Sequence, residues 1–396
     1  MAESVDALVS NTSGAIRAGS TPALGTEILS EAILRGFFLF GCTTFAPRGF
    51  KIGLYKKNYS SFCSMEYLHY FCLTKIRGDM KQFKKPALTF QKQIDLLKSR
   101  GLEVNDEKRA IRHLSNVSYY RMSAYMLPFK VLKTDGSPSD SFIPGTTWDN
   151  IYDLYKFDRK LRLLIFDAIE RIEVALRTQV IYQLSHKYGS HWQNNASIFK
   201  PAITNPHTGK TYDVFREIQT HIKEQLSTNH KMVFIEHYLA TYNDPPTPPS
   251  WMAVELLYFS ELSKICQHLR IRADRTDISK AFGIIDDSIF CSWLHTLNYV
   301  RNICAHHARL WNINLDITPS KFYNKTSRTW LTNKEVDNVQ SSRIYYTMCL
   351  ILYLLQTVNP RTKFKIHFKK LLNDYPIVNV GYMGFPTDWE QHPLWK

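Results

Sequence analysis

A short segment in the last third of the chain holds an arginine, an asparagine and two adjacent histidines: Arg301, Asn302, His306 and His307. Arginine carries a permanent positive charge that suits a phosphate, and histidine gives and takes protons near neutral pH. RNA is cleaved when its own 2′-hydroxyl attacks the adjacent phosphate, which requires a base, an acid and cationic support. These residue types supply all three, so we predict an RNA-cleaving site that needs no metal ion.

Each residue of this segment has an expected role. We assign the acid and base chemistry to His306 and the phosphate contact to Arg301. Asn302 would orient the phosphate or hold the histidine through a side-chain hydrogen bond. His307 is a nearby reserve for the chemistry, and Arg309 is a further RNA-binding candidate. The alternative is a purely structural polar network, which is the commoner outcome for an arbitrary Arg and His at this spacing.

Helical geometry complicates a site on one helix. On an ideal helix Arg301 and His306 lie about 140° apart, so the two side chains do not point at one phosphate. Two alternatives remain open: the helix bends at this point, or a second copy of the chain completes the site. The second alternative places two histidines on facing helices, one for each proton transfer. RNA and a homodimer are therefore the expected partners.

A second pair of charged residues, Glu173 and Arg177, is spaced to pair on one helix face. In a functional interpretation, Glu173 orients Arg301 or a histidine from a neighbouring helix, and Arg177 contacts phosphate. Taken alone, the pair is more simply explained as an ion pair on a helix surface.

Basic residues are also concentrated near the C-terminus, where a helix is predicted over Pro360–Asn373. The formal net charge of the chain is +15, and a folded protein this basic commonly meets a polyanion. The lysines of this segment would bind the RNA backbone, although a solvated helix face explains them equally well. They are Lys363, Lys365, Lys369 and Lys370.

The elements that must position these residues are helices. Apolar residues recur at intervals of three and four along most of the chain, and no strand ladder is evident. The predicted class is all-α. The principal helices are predicted over Trp148–Tyr188, Trp251–Leu269, Ser288–Leu310 and Ile344–Val358.

The cysteines argue against a disulfide framework and a zinc site. Seven are present, an odd number, and none forms a C-x2-C pair. This pattern fits a reducing cytoplasm, and we expect no metal and no cofactor. The apolar segment Ile344–Val358 is too short to cross a bilayer, and the N-terminus does not have the pattern of a signal peptide. We therefore expect a cytoplasmic protein without a membrane partner.

Four regions are predicted along the chain. Residues 1–79 form an irregular N-terminal extension, 80–140 an N-terminal helical region, 145–320 the helical core, and 321–396 a helical basic tail. Met80 opens a segment that reads like an ordinary protein start. Two hypotheses remain open: translation naturally begins at Met80, or residues 1–79 are a real but irregular part of the protein.

Six segments of the chain, in order, resemble the Abi family of bacterial abortive-infection proteins, specifically its AbiD/AbiF-like group. Together they extend over roughly residues 84–320. They are KPALTFQKQIDLLKSRGL (Lys85–Leu102), LSNVSYYRMSAYMLPF (Leu114–Phe129), YKFDRKLRLLIFDAIERIEVALRTQV (Tyr155–Val180), YGSHW (Tyr188–Trp192), PSWMAVELLYFSELSK (Pro249–Lys264) and SWLHTLNYVRNICAHHARLWN (Ser292–Asn312).

The resemblance implies a HEPN-like helical bundle with additional N- and C-terminal helices, and a role in defence against phage. HEPN proteins are typically metal-independent ribonucleases whose R-x4-6-H motifs meet in a dimer, and some relatives are linked to a structured non-coding RNA. The motif falls on Arg301 and His306, its polar residue on Asn302, and the E-x3-R pattern on Glu173 and Arg177. The alternative function is a non-catalytic RNA-binding or sensor protein in phage defence. A HEPN-like nucleotidyltransferase partner ranks last, since the chain has no Gly-rich phosphate loop.

Overall fold

Helices make up most of the part of the chain that this structure, a computed structural model, describes: residues 85–206, 208–324 and 329–396. The predicted all-α class is confirmed. The hypotheses about residues 1–79 concern a segment outside the described residues.

The helices of the described residues are α1 (Phe90–Ser99), α2 (Glu107–Val117), α3 (Tyr119–Met126), α4 (Trp148–Tyr188), α5 (Val214–Ser227), α6 (Val233–Thr241), α7 (Ser250–Ala253), α8 (Phe259–His268), α9 (Arg272–Lys280), α10 (Asp287–Ala305), α11 (Asn333–Asn338), α12 (Ile344–Val358) and α13 (Phe364–Asp374). Two small antiparallel hairpins accompany them, which the sequence did not lead us to expect. They pair β1 (Lys130–Leu132) with β2 (Pro138–Phe142), and β3 (Ile203–Thr204) with β4 (Thr211–Tyr212).

Helix α4 is the longest helix of the described residues and contacts α3, α9, α10, α12 and α13. Its predicted bounds are confirmed. It begins with a capping box between Thr147 and Asn150, and it ends at Gly189, whose φ of 88° is readily adopted only by glycine. The 41 residues between these signals span roughly 60 Å. Helix α4 is therefore the scaffold against which the candidate site is built.

Helix α12 is buried along most of its length, as its uninterrupted apolar sequence predicts. Twelve of its fifteen residues are buried, including Met348, Cys349 and Leu350. In the part of the chain that the structure describes, no helix is both long enough and apolar enough to cross a membrane.

One hydrophobic core extends through the described residues. It contains side chains from all three predicted regions after residue 80, for example Leu97, Ile165 and Trp395. The C-terminal segment adds a cluster of aromatic rings to it, in which Phe368, Phe385 and Trp395 lie within 5.6 Å of one another by ring centroid. The tail therefore packs on the helical bundle through apolar contacts.

Two predicted helices away from the end of α10 have wrong boundaries. The predicted helix Trp251–Leu269 is divided into α7, a 3-10 turn and α8, because the chain is extended at Leu257 and Tyr258. The backbone N–H of Tyr258 donates to the carboxylate of Glu261 at 2.8 Å, and this capping contact starts a new helix. The predicted basic helix begins at Phe364 rather than Pro360.

Candidate active site at the end of helix α10

Helix α10 ends inside the segment that carries the predicted site. Arg301 and Asn302 lie in its last two turns, its last residue is Ala305, and His306 is its C-cap. The predicted helix Ser288–Leu310 was therefore too long. The N–H of His306 still makes the helical bond to the carbonyl of Asn302 at 2.9 Å, so His306 continues the helical geometry and stays about 140° from Arg301 around the axis.

The helix ends because the chain turns back at His307. This residue has a φ of 57°, in the left-handed region. Its N–H donates to the carbonyl of Cys304 at 3.1 Å, and the N–H of Ala308 donates to the carbonyl of Ile303 at 3.0 Å. These two bonds form a Schellman motif, in which the left-handed position is usually glycine. A histidine here holds a backbone conformation that costs free energy.

A buried carboxylate holds the segment that follows the turn. Asp158 of α4 is fully buried, and it accepts backbone N–H bonds from Leu310 at 3.1 Å and from Trp311 at 2.6 Å. It also accepts the hydroxyl of Tyr125 at 2.5 Å and the guanidinium of Arg162. Burial raises the pKa of Asp158, and the charge of Arg162 and these hydrogen bonds oppose the shift. Asp158 thus fixes the position of the chain immediately after the histidines.

A second contact to the turn comes from α3. The exposed guanidinium of Arg121 donates a hydrogen bond from Nη1 to the carbonyl oxygen of His307. The two residues are 186 positions apart in the sequence. Arg121 therefore ties the turn to a helix that sequence analysis did not connect with the site, and it places another cation beside the histidines.

The guanidinium of Arg301 is half-buried and has little to balance its charge. Its Cζ lies 5.7 Å from the ring centroid of Phe166 on α4, and its Nη1 lies 3.4 Å from Oδ1 of Asn302. Among the described residues, no carboxylate oxygen lies within 4 Å of it, and its buried Nε has no hydrogen-bond partner. The cation is therefore available to an anionic ligand.

The two histidines of the turn are both exposed. Neither imidazole hydrogen bonds to another side chain in the part of the chain that the structure describes. Asn302 supports His306 through the backbone, because its carbonyl accepts the N–H of His306 at 2.9 Å. The imidazoles are thus accessible to a substrate.

The thiol in this segment is not suited to nucleophilic chemistry. Cys304 is buried, and burial together with the nearby charge of Asp158 raises its pKa to about 12. The protonated thiol is a poor nucleophile near neutral pH. No group of three or more His, Cys, Asp or Glu side chains in the described ranges is arranged to hold a metal ion.

The predicted pair of Glu173 and Arg177 is present, but it does not reach Arg301. Arg177 Nη2 lies 3.2 Å from Glu173 Oε1 and donates to the carbonyl of Leu257 at 3.0 Å. Its Nε also lies 3.7 Å from a carboxylate oxygen of Glu255. Glu173 is seven residues from Phe166, or roughly 10 Å along the axis of α4. The pair therefore joins α4 to the turn before α8.

Arg309 lies behind the turn rather than on the open surface. It is partly buried, and burial lowers its pKa, while the nearby groups of Tyr125 and Asp158 oppose the shift. The guanidinium thus faces the cluster around the buried carboxylate. Its predicted contact with RNA stays a prediction.

The four lysines predicted to bind RNA fall into two pairs. Lys365 Nζ donates to the carbonyl oxygen of Lys396, and Lys369 Nζ lies 5.8 Å from the ring centroid of Trp389, so this pair contacts the C-terminal segment. Lys363 and Lys370 are exposed and line the space between α13 and α4.

Two residues that position the turn, Asp158 and Arg121, were not among the residues predicted from the sequence. An aspartate within the apolar sequence YKFDRKLRLLIF was a usable signal, since a carboxylate on the buried face of a helix needs a partner. The partner Arg162 is four residues away. No comparable signal marked Arg121.

Residues 112–312, about half of the chain, match the model of a family described as Abi-like protein. The matched range contains both positioning residues and the whole segment from Arg301 to Asn312. Helix α1 and the tail helices α12 and α13 lie outside it. The chain matches no curated protein and no solved structure.

Proposed function

Since the chain belongs to the Abi-like protein family, we propose that it is a metal-independent endoribonuclease of a phage-defence system. Membership of the family suggests an abortive-infection function. The finer assignment, an RNA-cleaving site of the HEPN type, depends on the residues at the end of α10.

One observation carries this assignment: an incompletely balanced guanidinium lies in the last two turns of a helix whose end presents two exposed imidazoles. Arg301 has no carboxylate within 4 Å among the described residues, whereas most charged groups buried in proteins are paired. His306 and His307 follow within six residues and are exposed. A cation beside groups that transfer protons near neutral pH suits phosphate chemistry.

The proposed reaction uses the 2′-hydroxyl of RNA as the nucleophile. His306 removes the proton of this hydroxyl, and the 2′-oxygen forms a bond to the adjacent phosphorus. The bond from phosphorus to the 5′-oxygen breaks, and a second, protonated imidazole gives its proton to that oxygen. Arg301 donates hydrogen bonds to the non-bridging oxygens as their charge rises. The products are a 2′,3′-cyclic phosphate and a 5′-hydroxyl.

We propose that the second imidazole is the same histidine of a second copy of the chain. A stripe on one face of α4 supports this: it holds the exposed apolar side chains of Leu163 and Val174, which are 57% and 48% exposed, together with the exposed carboxylates of Asp167 and Glu170. The stripe lies next to Phe166, against which Arg301 packs.

A cleavage assay tests the proposal. The full chain and its His306→Ala variant are incubated with total bacterial RNA in excess EDTA, and fragment sizes are followed with time. A matched control is His230→Ala, which removes another exposed histidine elsewhere in the chain. We expect the parent and the control to cleave RNA and His306→Ala to be at least 100-fold slower, the lower end of typical acid–base contributions.

The alternative function, non-catalytic RNA binding, is supported by the exposed lysines Lys363 and Lys370. It predicts that RNA binds to the parent and to His306→Ala with equal affinity, and that neither protein cuts it. Binding without cleavage would therefore favour a sensor role over an enzyme.

A further inference from the structure

A groove runs between α4 and α13, on a different side of α4 from the candidate active site. It consists of two adjoining cavities of about 210 and 240 Å³, which share Leu164 and His367 in their walls. One wall comes from residues 160–171 of α4 and the other from residues 359–374, which are far apart in the sequence.

The walls of the groove are basic. Five Lys and Arg side chains line it, against two Asp. Asp167 is already paired, with its Oδ2 at 3.2 Å from Nε of Arg171. The five basic side chains are Lys160, Arg171, Arg361, Lys363 and Lys370. The groove therefore has a net positive charge that its two carboxylates do not neutralise, and it attracts anions.

The charges extend along the groove instead of converging on one point. Lys363 is the N-cap of α13, and Lys370 lies seven residues further along, roughly 10 Å away along the helix axis. The opposite wall is similar, since Lys160 and Arg171 are eleven residues apart on α4. A row of cations of this length fits successive phosphates of a polymer better than a single phosphate ion.

We propose that this groove binds the sugar–phosphate backbone of an RNA strand. The choice of RNA rests on the proposed function, because the groove and the candidate active site share one segment of α4. Phe166, under Arg301, lies within the segment that lines the groove, and it points about 200° away from Leu164. Arg301 and the groove therefore lie on opposite sides of this segment of α4, separated by at least one helix diameter, about 10 Å.

The groove includes only some of the tail lysines that the sequence predicts to contact RNA. Lys365 and Lys369 are excluded from the groove by their contacts with Lys396 and Trp389. Lys160 and Arg171 of α4 enter the set, which no helical pattern of the tail could indicate. The binding surface is thus formed jointly by the tail and the long helix, not by one face of α13.

Salt-dependent RNA binding tests the groove. A labelled 20-nucleotide single-stranded RNA is titrated with the full chain carrying His306→Ala, so that the probe is not cut. The triple variant Arg361→Ala, Lys363→Ala, Lys370→Ala removes three exposed cations. For three lost phosphate contacts, the slope of log K against log salt should fall by about 2, with roughly 100-fold weaker binding at 0.1 M salt.

A matched triple variant removes the same charge from other surfaces: Lys108→Ala, Lys223→Ala and Lys334→Ala, all exposed. We expect it to keep the parent slope. Equal slopes and affinities for the two triple variants would contradict the proposal that the groove binds RNA. So would an unchanged RNA affinity together with lost binding to anionic phosphatidylglycerol vesicles, which would make the groove a membrane contact.

The groove and the nuclease can fail separately. If the chain without the His306 substitution leaves RNA uncut but binds it through the groove, the proposed function is wrong and the groove stands. If it cleaves RNA and the groove triple variant binds as tightly as the control, the groove is wrong and the nuclease stands.

Discussion

Two charged side chains near the end of α10 differ in how well the fold supplies them with partners. The carboxylate of Asp158 is fully buried and accepts hydrogen bonds from Tyr125, Arg162 and two backbone N–H groups. The guanidinium of Arg301 is half-buried and contacts an amide oxygen and an aromatic ring, with no carboxylate oxygen within 4 Å among the described residues. The charge of Asp158 is therefore satisfied by partners within the fold, whereas the charge of Arg301 is available to a ligand. The comparison separates the residues that build this region from the residue that could act on a substrate.

The largest effect is expected on stability, when the buried and fully hydrogen-bonded carboxylate of Asp158 is removed. Asp158→Ala leaves the guanidinium of Arg162 buried without its partner, and we expect the free energy of unfolding to fall by about 3–5 kcal/mol. The matched control is Asp167→Ala on the same helix. It removes an exposed carboxylate that pairs with Arg171 at the same spacing, and should cost far less because water screens both charges. Urea denaturation measures both. Equal losses would show that the buried network does not stabilise the fold.

Removing Arg301 should have the opposite result: a large loss of activity and a small loss of stability. Arg301→Ala should lower the rate of RNA cleavage by about 10²–10³, the usual cost of removing one group that stabilises a charged transition state. The free energy of unfolding should fall by no more than about 1 kcal/mol, because the ring contact is the main interaction lost. Arg159→Ala, an exposed arginine of α4, serves as the control. Cleavage at the parent rate by Arg301→Ala would remove this residue from the active site.

A smaller effect is expected for the arginine that holds the turn. Arg121→Ala removes the hydrogen bond to the carbonyl of His307, and we expect kcat for RNA cleavage to fall roughly tenfold, about 1.4 kcal/mol, with KM little changed. Arg121→Lys should recover part of the loss, because an ammonium can reach the same carbonyl. The control is Arg112→Ala, an exposed arginine of α2. A rise in KM alone would instead assign Arg121 to substrate binding.

The smallest effect concerns the backbone of the turn. At a φ of 57°, glycine avoids a steric cost that any other residue bears, so His307→Gly should be about 1 kcal/mol more stable than His307→Ala. Urea denaturation of the two variants gives the difference. Cleavage should persist in His307→Gly because the proton transfers are assigned to His306. Identical stabilities would contradict the left-handed turn.

Local sequence signals were sufficient to predict where the scaffold helices α4 and α12 begin and end. The bounds of α4 and α12 follow from apolar spacing together with end signals such as Thr147 and Gly189. The end of α10 could not be predicted in this way, because a histidine occupies the left-handed position where a glycine would have marked the stop.

The positioning of the candidate site was also beyond local reasoning, for a different cause. Asp158 reaches a backbone N–H 152 residues away, and Arg121 a carbonyl 186 residues away. Such contacts depend on how the helices pack, which no periodicity within one segment records. The sequence therefore indicated the candidate residues by their chemistry, and the fold shows what holds them in place.

The most direct test of the central claim is the chemistry of the RNA ends. An RNA oligonucleotide is incubated in EDTA with the full chain, with His306→Ala and with His230→Ala, and the fragments are weighed by mass spectrometry. The account predicts 2′,3′-cyclic phosphate and 5′-hydroxyl ends from the full chain and from His230→Ala, and no such fragments from His306→Ala. The same fragments from all three proteins, or 5′-phosphate ends, would contradict it.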